Sequence, residues 1–166
     1  MTLQTLAETL GRSVGWLSQV ERGVTSPAIR DLKQIATLFD LPISFFFRND
    51  EAPQTEHGYV VRKDARGSLG SDDEGLIEQL LSPDLSGDFE MIHCRFAPHT
   101  LGEWREARPT EESGYLLSGE LTIELRDRTL ELYQGDSFRF RHQPFRWHNT
   151  SGVTCEVIWV VSPPVY

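Results

Sequence analysis

The sequence predicts a two-domain chain, a small all-α module followed by an all-β sandwich or barrel. Three observations predict it. Apolar residues recur with a helical period over roughly the first 40 positions, and after Gly67 they recur with a period of two. Between them lies a polar interval, "NDEAPQTEHGYVVRKDAR" (49–66), that reads as a linker or peripheral strand. The expected boundaries are therefore 1–48, 49–66 and 67–166. With 166 residues, 39% of them hydrophobic and 10% aromatic, the chain can build a core in each part.

In the first part, Leu3, Leu6, Ala7 and Leu10 stand at i, i+3, i+4 and i+7 and form one stripe. Gly11 suits the positive φ that ends such a helix. Ser13 is placed to cap a second helix that turns Leu17 and Val20 inward and stops at Gly23. Ser26-Pro27 marks the start of a third, with Ile29, Leu32, Ala36 and Phe39 on its inner side. Pro42 closes it, and "ISFFF" (43–47) reads as a short apolar helix docking back. Two helices joined by "GRS" make a helix-turn-helix unit, whose second helix can enter a major groove.

In the last part, "GLIEQLL", "FEMIHCRF", "YLLSGELTIEL", "TLELYQGDSFRF" and "TCEVIWVV" alternate apolar and polar residues, with turn residues between them. Cys94 and Cys155 lie within such segments and are expected as buried free thiols of a reducing, cytoplasmic setting. The opening "MTLQTLAETL" lacks the pattern of a signal peptide, and no apolar run is long enough for a membrane span. The net charge of −9 is uneven: residues 1–48 carry five basic and four acidic groups, so the remainder carries −10. The helical module is thus free to approach a polyanion, because screening confines the field to about 10 Å at ordinary salt.

The stretches "TLQTLAETLGRS", "LSQVERG" and "SPAIRDLKQIATLFDLPISFFF" resemble the helix-turn-helix family of phage-repressor (XRE) type. The resemblance implies base-facing positions at Val14, Gly15 and Ser18. It places Arg12, Ser13, Gln19, Arg22 and Ser26 against phosphates or in orienting the helix. Val14 then suits a thymine methyl and Ser18 either base edge, with no arginine forked onto guanine. Trp16 is expected in the core. Members of the family begin with a further basic helix. The expectation here is either a truncated start or a module without that helix, leaving Leu6, Leu10 and Leu17 short of a packing partner.

"EESGYLLSGELTIEL" (111–125) sets Glu112 seven residues before Gly119, and "LYQGDSFRFRHQPFRWHNTS" (132–151) contains Gly135-Asp136, Pro144 and Asn149. These resemble the two motifs of the cupin family, a double-stranded β-helix or jelly-roll barrel. Metal-binding cupins supply His-x-His and Glu from the first motif and His from the second. Here Glu112 matches the glutamate, the first two histidine positions fall near Glu106 and Arg108, and the third falls at Phe145 or Arg146. Arginine offers no lone pair, so no metal and no other cofactor is expected. If Arg146 points inward then so does His148; if Phe145 does, Trp147 follows and His148 faces out. His99 and His142 are expected at the surface, His57 has no chemical context, and His93 fits either face. The candidate pocket comprises Glu106, Arg108, Glu112, Tyr115, Arg139, Arg146, Trp147 and His148. Either Glu112 and an arginine form an internal ion pair, or they hold a small zwitterion. In the second case Glu112 meets the ammonium, arginine the carboxylate, and Trp147 or Tyr115 the stem.

Together the resemblances imply a cytoplasmic, DNA-binding transcription regulator with no catalytic residues. Its cupin domain would sense a small effector such as an amino acid, polyamine or related nutrient. It would act as a homodimer joined through that domain on palindromic double-stranded DNA, with no membrane partner. Two rivals stand beside it: a cupin-type non-haem iron oxidoreductase with an attached helix-turn-helix, and a ligand-free dimerisation scaffold.

Overall fold

A computed structural model describes residues 2–25, 27, 29–41, 45–46, 53–68, 75–85 and 87–165, with the backbone alone at Ile29 and Arg30. The chain divides into two compact units, Met1–Phe46 and Phe47–Val165. The polar interval after residue 48 therefore goes with the second unit. Two short 3-10 turns, Gln54–Glu56 and Lys63–Ala65, lead to an edge contact in which Ser68 bridges Gln79 and Leu80 N donates to Gly67 O at 2.9 Å.

The first unit holds α1 (Leu3–Leu10), α2 (Val14–Glu21) and α3 (Ile29–Leu38). Gly11 ends α1 in the left-handed region at φ 65°, and Ser13 caps α2 by accepting from Trp16 N at 3.1 Å. Ala7, Leu10 and Leu17 form the centre of the core, with Leu6, Trp16 and Ile35 packed against them and Leu32 and Ala36 buried on α3. Phe39 departs from the expected stripe. It lies past the last turn of α3 and is 48% exposed, while Ile35 packs against the core. Leu3, at the free end of α1, is also exposed. Ser26, Pro42 and residues 43–44 and 47 lie outside the described residues, and with them the expected cap; of the expected apolar helix only Phe45 and Phe46 are described, in 3-10 geometry.

Arg12 ties this unit together. Its Nε and Nη2 donate to Asp31 Oδ1 and Oδ2 at 3.0 and 2.9 Å, and its guanidinium lies 5.0 Å from the Trp16 ring centroid. Asp31 is 1% exposed. The fork spans the turn between α1 and α2 and fixes both to α3. The bond to Asp31 holds the guanidinium pKa above its ordinary value.

The second unit is a two-sheet barrel with nine strands among the described residues: β1 (Leu76–Leu80), β2 (Glu90–Phe96), β3 (Thr100–Leu101), β4 (Glu111–Ser118), β5 (Glu120–Leu125), β6 (Thr129–Tyr133), β7 (Ser137–Arg141), β8 (Phe145–Asn149) and β9 (Cys155–Ser162). The sheets run β1-β2-β9-β4-β7 and β3-β8-β5-β6, with antiparallel pairs throughout. Alternation buries one side of each strand: Ile92, Cys94 and Phe96 on β2, Val157, Trp159 and Val161 on β9, Phe145 and Trp147 on β8. The two buried cysteines are free thiols, as their setting in the sequence implied.

The residues that marked the two motifs are largely structural. Gly119 sits at φ 78° where a Cβ would press on the Cys155 backbone. Buried Asn149 donates to the carbonyls of Phe96, Ala97 and Val153 at 2.9–3.1 Å and accepts from Ser151 N and Oγ. Gly114, on β4, faces the Phe138 ring directly, and a methyl group there would collide with it. The variant Gly114→Ala should lower stability by about 1–3 kcal/mol, the usual cost of overpacking a filled core. Thermal unfolding followed by near-ultraviolet circular dichroism checks this.

Candidate functional site

The interior of the barrel is built around Trp159. Its ring lies 4.8 Å from Phe138, 5.6 Å from Phe145, 6.3 Å from Phe140 and 6.5 Å from Phe96, and Phe96 packs edge-on against Trp147 at 4.8 Å. Offset and edge-on packing of this kind adds to the burial of apolar area. The indole Nε1 of Trp159 donates to Glu112 Oε2 at 2.6 Å, and Thr110 Oγ1 donates to Glu112 Oε1 at 3.1 Å. Glu112 is 5% exposed and has a partner on each oxygen. The interior thus contains an anchored carboxylate, with no arginine bonded to it among the described residues.

Further acidic groups share the inner surface. Glu78 lies opposite Cys94 in the β1–β2 register, and Glu90 lies opposite Val161, which is itself opposite Glu112. Glu90 is fully buried and accepts from Val165 N at 3.4 Å. Arg105 enters from the opposite sheet, its Nη1 3.8 Å from Glu78 Oε1 and its guanidinium 5.8 Å from the Phe145 ring centroid. Burial pushes the Cys94 thiol well above its ordinary pKa, reinforced by the charge of Glu78 and opposed by Arg105. Burial likewise pushes Cys155 up to about 12, with Glu120 and Glu156 adding to the effect.

Several expected pocket residues stand elsewhere. Glu106 and Arg108 are exposed, within an irregular stretch where alternation does not hold; Arg105 and Thr110 face inward in their place. Phe145 and Trp147 point into the barrel, so Arg146 and His148 point out. Arg146 bonds Glu124 at 2.7 Å and lies 5.1 Å from the Trp104 ring centroid. His148 lines a shallow outer depression of about 150 Å³ with Glu120, Thr122, Glu131 and Tyr133. Tyr115, 48% exposed, and Arg139 lie on the outer side of the five-stranded sheet, because they are one residue out of phase with Glu112 and Phe138. Of the eight, only Glu112 and Trp147 reach the interior. Sequence reading missed Thr110, Arg105, Glu78 and Trp159. Thr110 was legible as the residue two before Glu112, and the others required the pairing of distant strands.

The histidines do not gather around Glu112. His93 faces outward and pairs with Glu156 at 3.1 Å, His99 and His142 occupy exposed turns at φ 56° and 50°, and His57 lies in the segment before the barrel. Among the described residues no three histidine, cysteine or acidic side chains are grouped to hold a metal. A carboxylate engaged by an indole and a hydroxyl, with no histidine grouped beside it among the described residues, does not fit a cupin metal centre.

On α2, Val14 is 46% exposed and Gly15 and Gln19 are also exposed, giving a small, uncharged outer face. Ser13 is committed to the cap and Arg12 to Asp31, so both orient the helix. Ser18 Oγ accepts from Arg22 Nη1 at 2.7 Å, and Gln19 Oε1 accepts from Thr25 Oγ1 at 3.4 Å. Trp16 is partly buried beneath Arg12. Ser26 lies outside the described residues.

Residues 92–161 match the family described as Cupin domain. This part of the chain is a cupin domain. The whole chain is 27% identical over 162 residues to the HTH-type transcriptional regulator PuuR of Escherichia coli (strain K12), covering 96% of this chain and 86% of that one. Among solved structures it is similar to an HTH_3 family transcriptional regulator from Vibrio cholerae, with TM-score 0.52, 23% identity and coverage of 99% and 88%. It is also similar to hydroxypropylphosphonic acid epoxidase from S. wedmorenis, with TM-score 0.52, 15% identity and coverage of 98% and 89%. The two solved structures share the fold, a helical module followed by a cupin barrel, and one fold thus serves a regulator and an enzyme.

Two outcomes follow from the cupin interior. Trp159→Phe should cost about 1–3 kcal/mol beyond its packing loss, the penalty of a buried acceptor left without its donor. Combined with Glu112→Leu the loss should be smaller than the sum, as a double-mutant cycle by chemical denaturation will show. Cys94 and Cys155 should resist alkylation in native protein at pH 8 and react fully in denaturant, as read by intact mass.

Proposed function

We propose that the chain is a cytoplasmic DNA-binding transcription regulator whose cupin domain receives a small-molecule effector. The observation that carries this is the outer face of α2: short, uncharged side chains, a capped N-terminus, and a helix locked to α3 by the Arg12–Asp31 fork. A helix presented to a major groove needs that rigidity. The relationship to a transcriptional regulator along nearly the whole chain supports the same reading. Val14, Gly15 and Ser18 then meet base edges, and Gln19 and Arg22 meet the flanking backbone. With a net charge of +1 on residues 1–48, non-specific attraction to phosphates is weak and local fit carries more of the affinity.

Two reading heads on palindromic DNA require a dimer. The outer side of the five-stranded sheet is the surface we assign to it, since exposed Tyr115 and Leu117 adjoin half-buried Met91, Ile158 and Val160 there. The iron-oxidoreductase reading is less supported, because among the described residues no three histidine, cysteine or acidic side chains are grouped to hold a metal and Glu112 is engaged by Trp159 and Thr110.

Fluorescence anisotropy against duplex DNA from upstream of the chain's own gene, with an unrelated duplex alongside, tests the reading. Specific binding should weaken as salt rises. Val14→Asp should reduce it by roughly tenfold or more, because a carboxylate replaces a methyl contact beside phosphates. The same change places a negative charge at the start of α2 and should leave helix content intact. Equal binding to both duplexes, or no effect of the substitution, would overturn the proposal.

A further inference from the structure

Seven of the sixteen basic residues are arginines between positions 105 and 146, and no lysine occurs in that span. The fold gathers six of them at one end of the barrel. A strap, residues 105–110, crosses that end. It begins at β8, where Arg105 N donates to Phe145 O at 2.8 Å and Phe145 N to Arg105 O at 3.1 Å. It finishes beside β4, where His142 N donates to Thr110 O at 3.1 Å and Glu111 lies opposite Arg141. Leu125 is also opposite Phe145, which brings the 126–128 hairpin to the same end. The rim therefore carries Arg105, Arg108, Arg126, Arg128, Arg141 and Arg146, with Trp104 48% exposed under Arg146.

Three of these are tethered: Arg128 to Asp127, Arg141 to Glu111, and Arg146 to Glu124. Arg105 reaches the interior towards Glu78. Arg108 and Arg126 are exposed, and among the described residues neither has a carboxylate within ion-pairing distance. Below the rim, Glu112 accepts from Trp159 and Thr110, one on each oxygen, and is 5% exposed.

We infer that this mouth of the cupin barrel binds a small organic anion with two or more carboxylate or phosphate groups, held between Arg108 on the strap and Arg126 on the hairpin. The inference rests on the effector part of the proposed function and names the chemical class of that effector. Guanidinium groups fork onto carboxylate and phosphate oxygens. A nucleic-acid backbone suits the rim less well. Glu111, Glu124 and Asp127 interrupt the arginines and would repel a continuous phosphate track, whereas a compact anion fits between them.

Full-length protein is titrated with citrate, inorganic phosphate and 1,4-diaminobutane at fixed ionic strength, with tryptophan fluorescence and calorimetry as readouts. Saturable binding of citrate or phosphate, but not of the diamine, is expected, and the tighter of the two identifies carboxylate or phosphate chemistry. The double variant R108A/R126A should weaken it roughly tenfold or more, since each lost fork removes a charge-assisted pair. Both residues are exposed, so its unfolding midpoint without ligand should match the parent. Absence of saturable anion binding, or unchanged affinity in the double variant, overturns the inference. So does loss of duplex binding in that variant without any anion binding, which would make the rim a DNA contact. Anion binding that survives in Val14→Asp, or in protein that binds no duplex at all, supports the rim independently of the regulator reading.

Discussion

The barrel depends on one side chain placed between two roles. Trp159 contacts four aromatic rings and at the same time donates to Glu112 at 2.6 Å. A buried carboxylate without donors costs several times the net value of an ordinary hydrogen bond, so Glu112 is tolerable only where the indole meets it. The indole in turn is fixed in angle by that bond, and its neighbours must pack around a ring that cannot rotate. One polar contact thus sets the arrangement of Phe138, Phe140 and Phe145. It also occupies the oxygens that a metal-binding cupin would direct at its ion.

The helical unit uses a comparable device on a smaller scale. Among the described residues its apolar core comprises a handful of side chains, and units this small are marginal on burial alone. The Arg12–Asp31 fork adds a geometric constraint between α3 and the turn that leads into α2. Arg12 is thereby engaged within the helical unit, beside the cap of α2. The outer face of α2 is left with Val14 and Gly15, and with Ser18 and Gln19 held by their neighbours. Discrimination by such a face comes from shape and methyl contact more than from charge.

How much of this was legible in the sequence depended on what set each residue. Gly11 could be placed because the left-handed turn that ends α1 demands that residue type locally, whereas Gly119 and Asn149 were placed only by their spacing in the cupin-like motifs, since Asn149 answers carbonyls more than 50 residues away. The strands could be placed because alternation over five or more residues admits few readings. The faces could not all be placed. On β8, whether Phe145 or Arg146 turns inward depends on the length of the 141–145 turn, and a slip of one residue inverts the whole strand. Glu106 and Arg108 were carried into the pocket by the register of the cupin-like motif, and that register does not hold here because residues 106–109 are four consecutive exposed positions in a strap. The partner of Arg12 lies 19 residues away and that of Glu112 47 residues away, distances at which periodicity carries no information.

The same division bears on how an effector can act. A ligand shifts an equilibrium only by its differential affinity for the two states. Cores packed with interlocked rings resist continuous deformation, so the centre around Trp159 offers little that a small molecule can change. The rim is different in kind. Its strap is bonded to the two sheets at its ends, through Phe145 and His142, while its middle is exposed. Its ion pairs join neighbouring turns and strands, and exposed pairs are each worth only about 0–1 kcal/mol. An anion that engaged Arg108 and Arg126 would therefore compete against weak contacts. It could draw the strap and the 126–128 hairpin together at small cost, whereas the same displacement imposed on the aromatic centre would break the bond between Glu112 and Trp159.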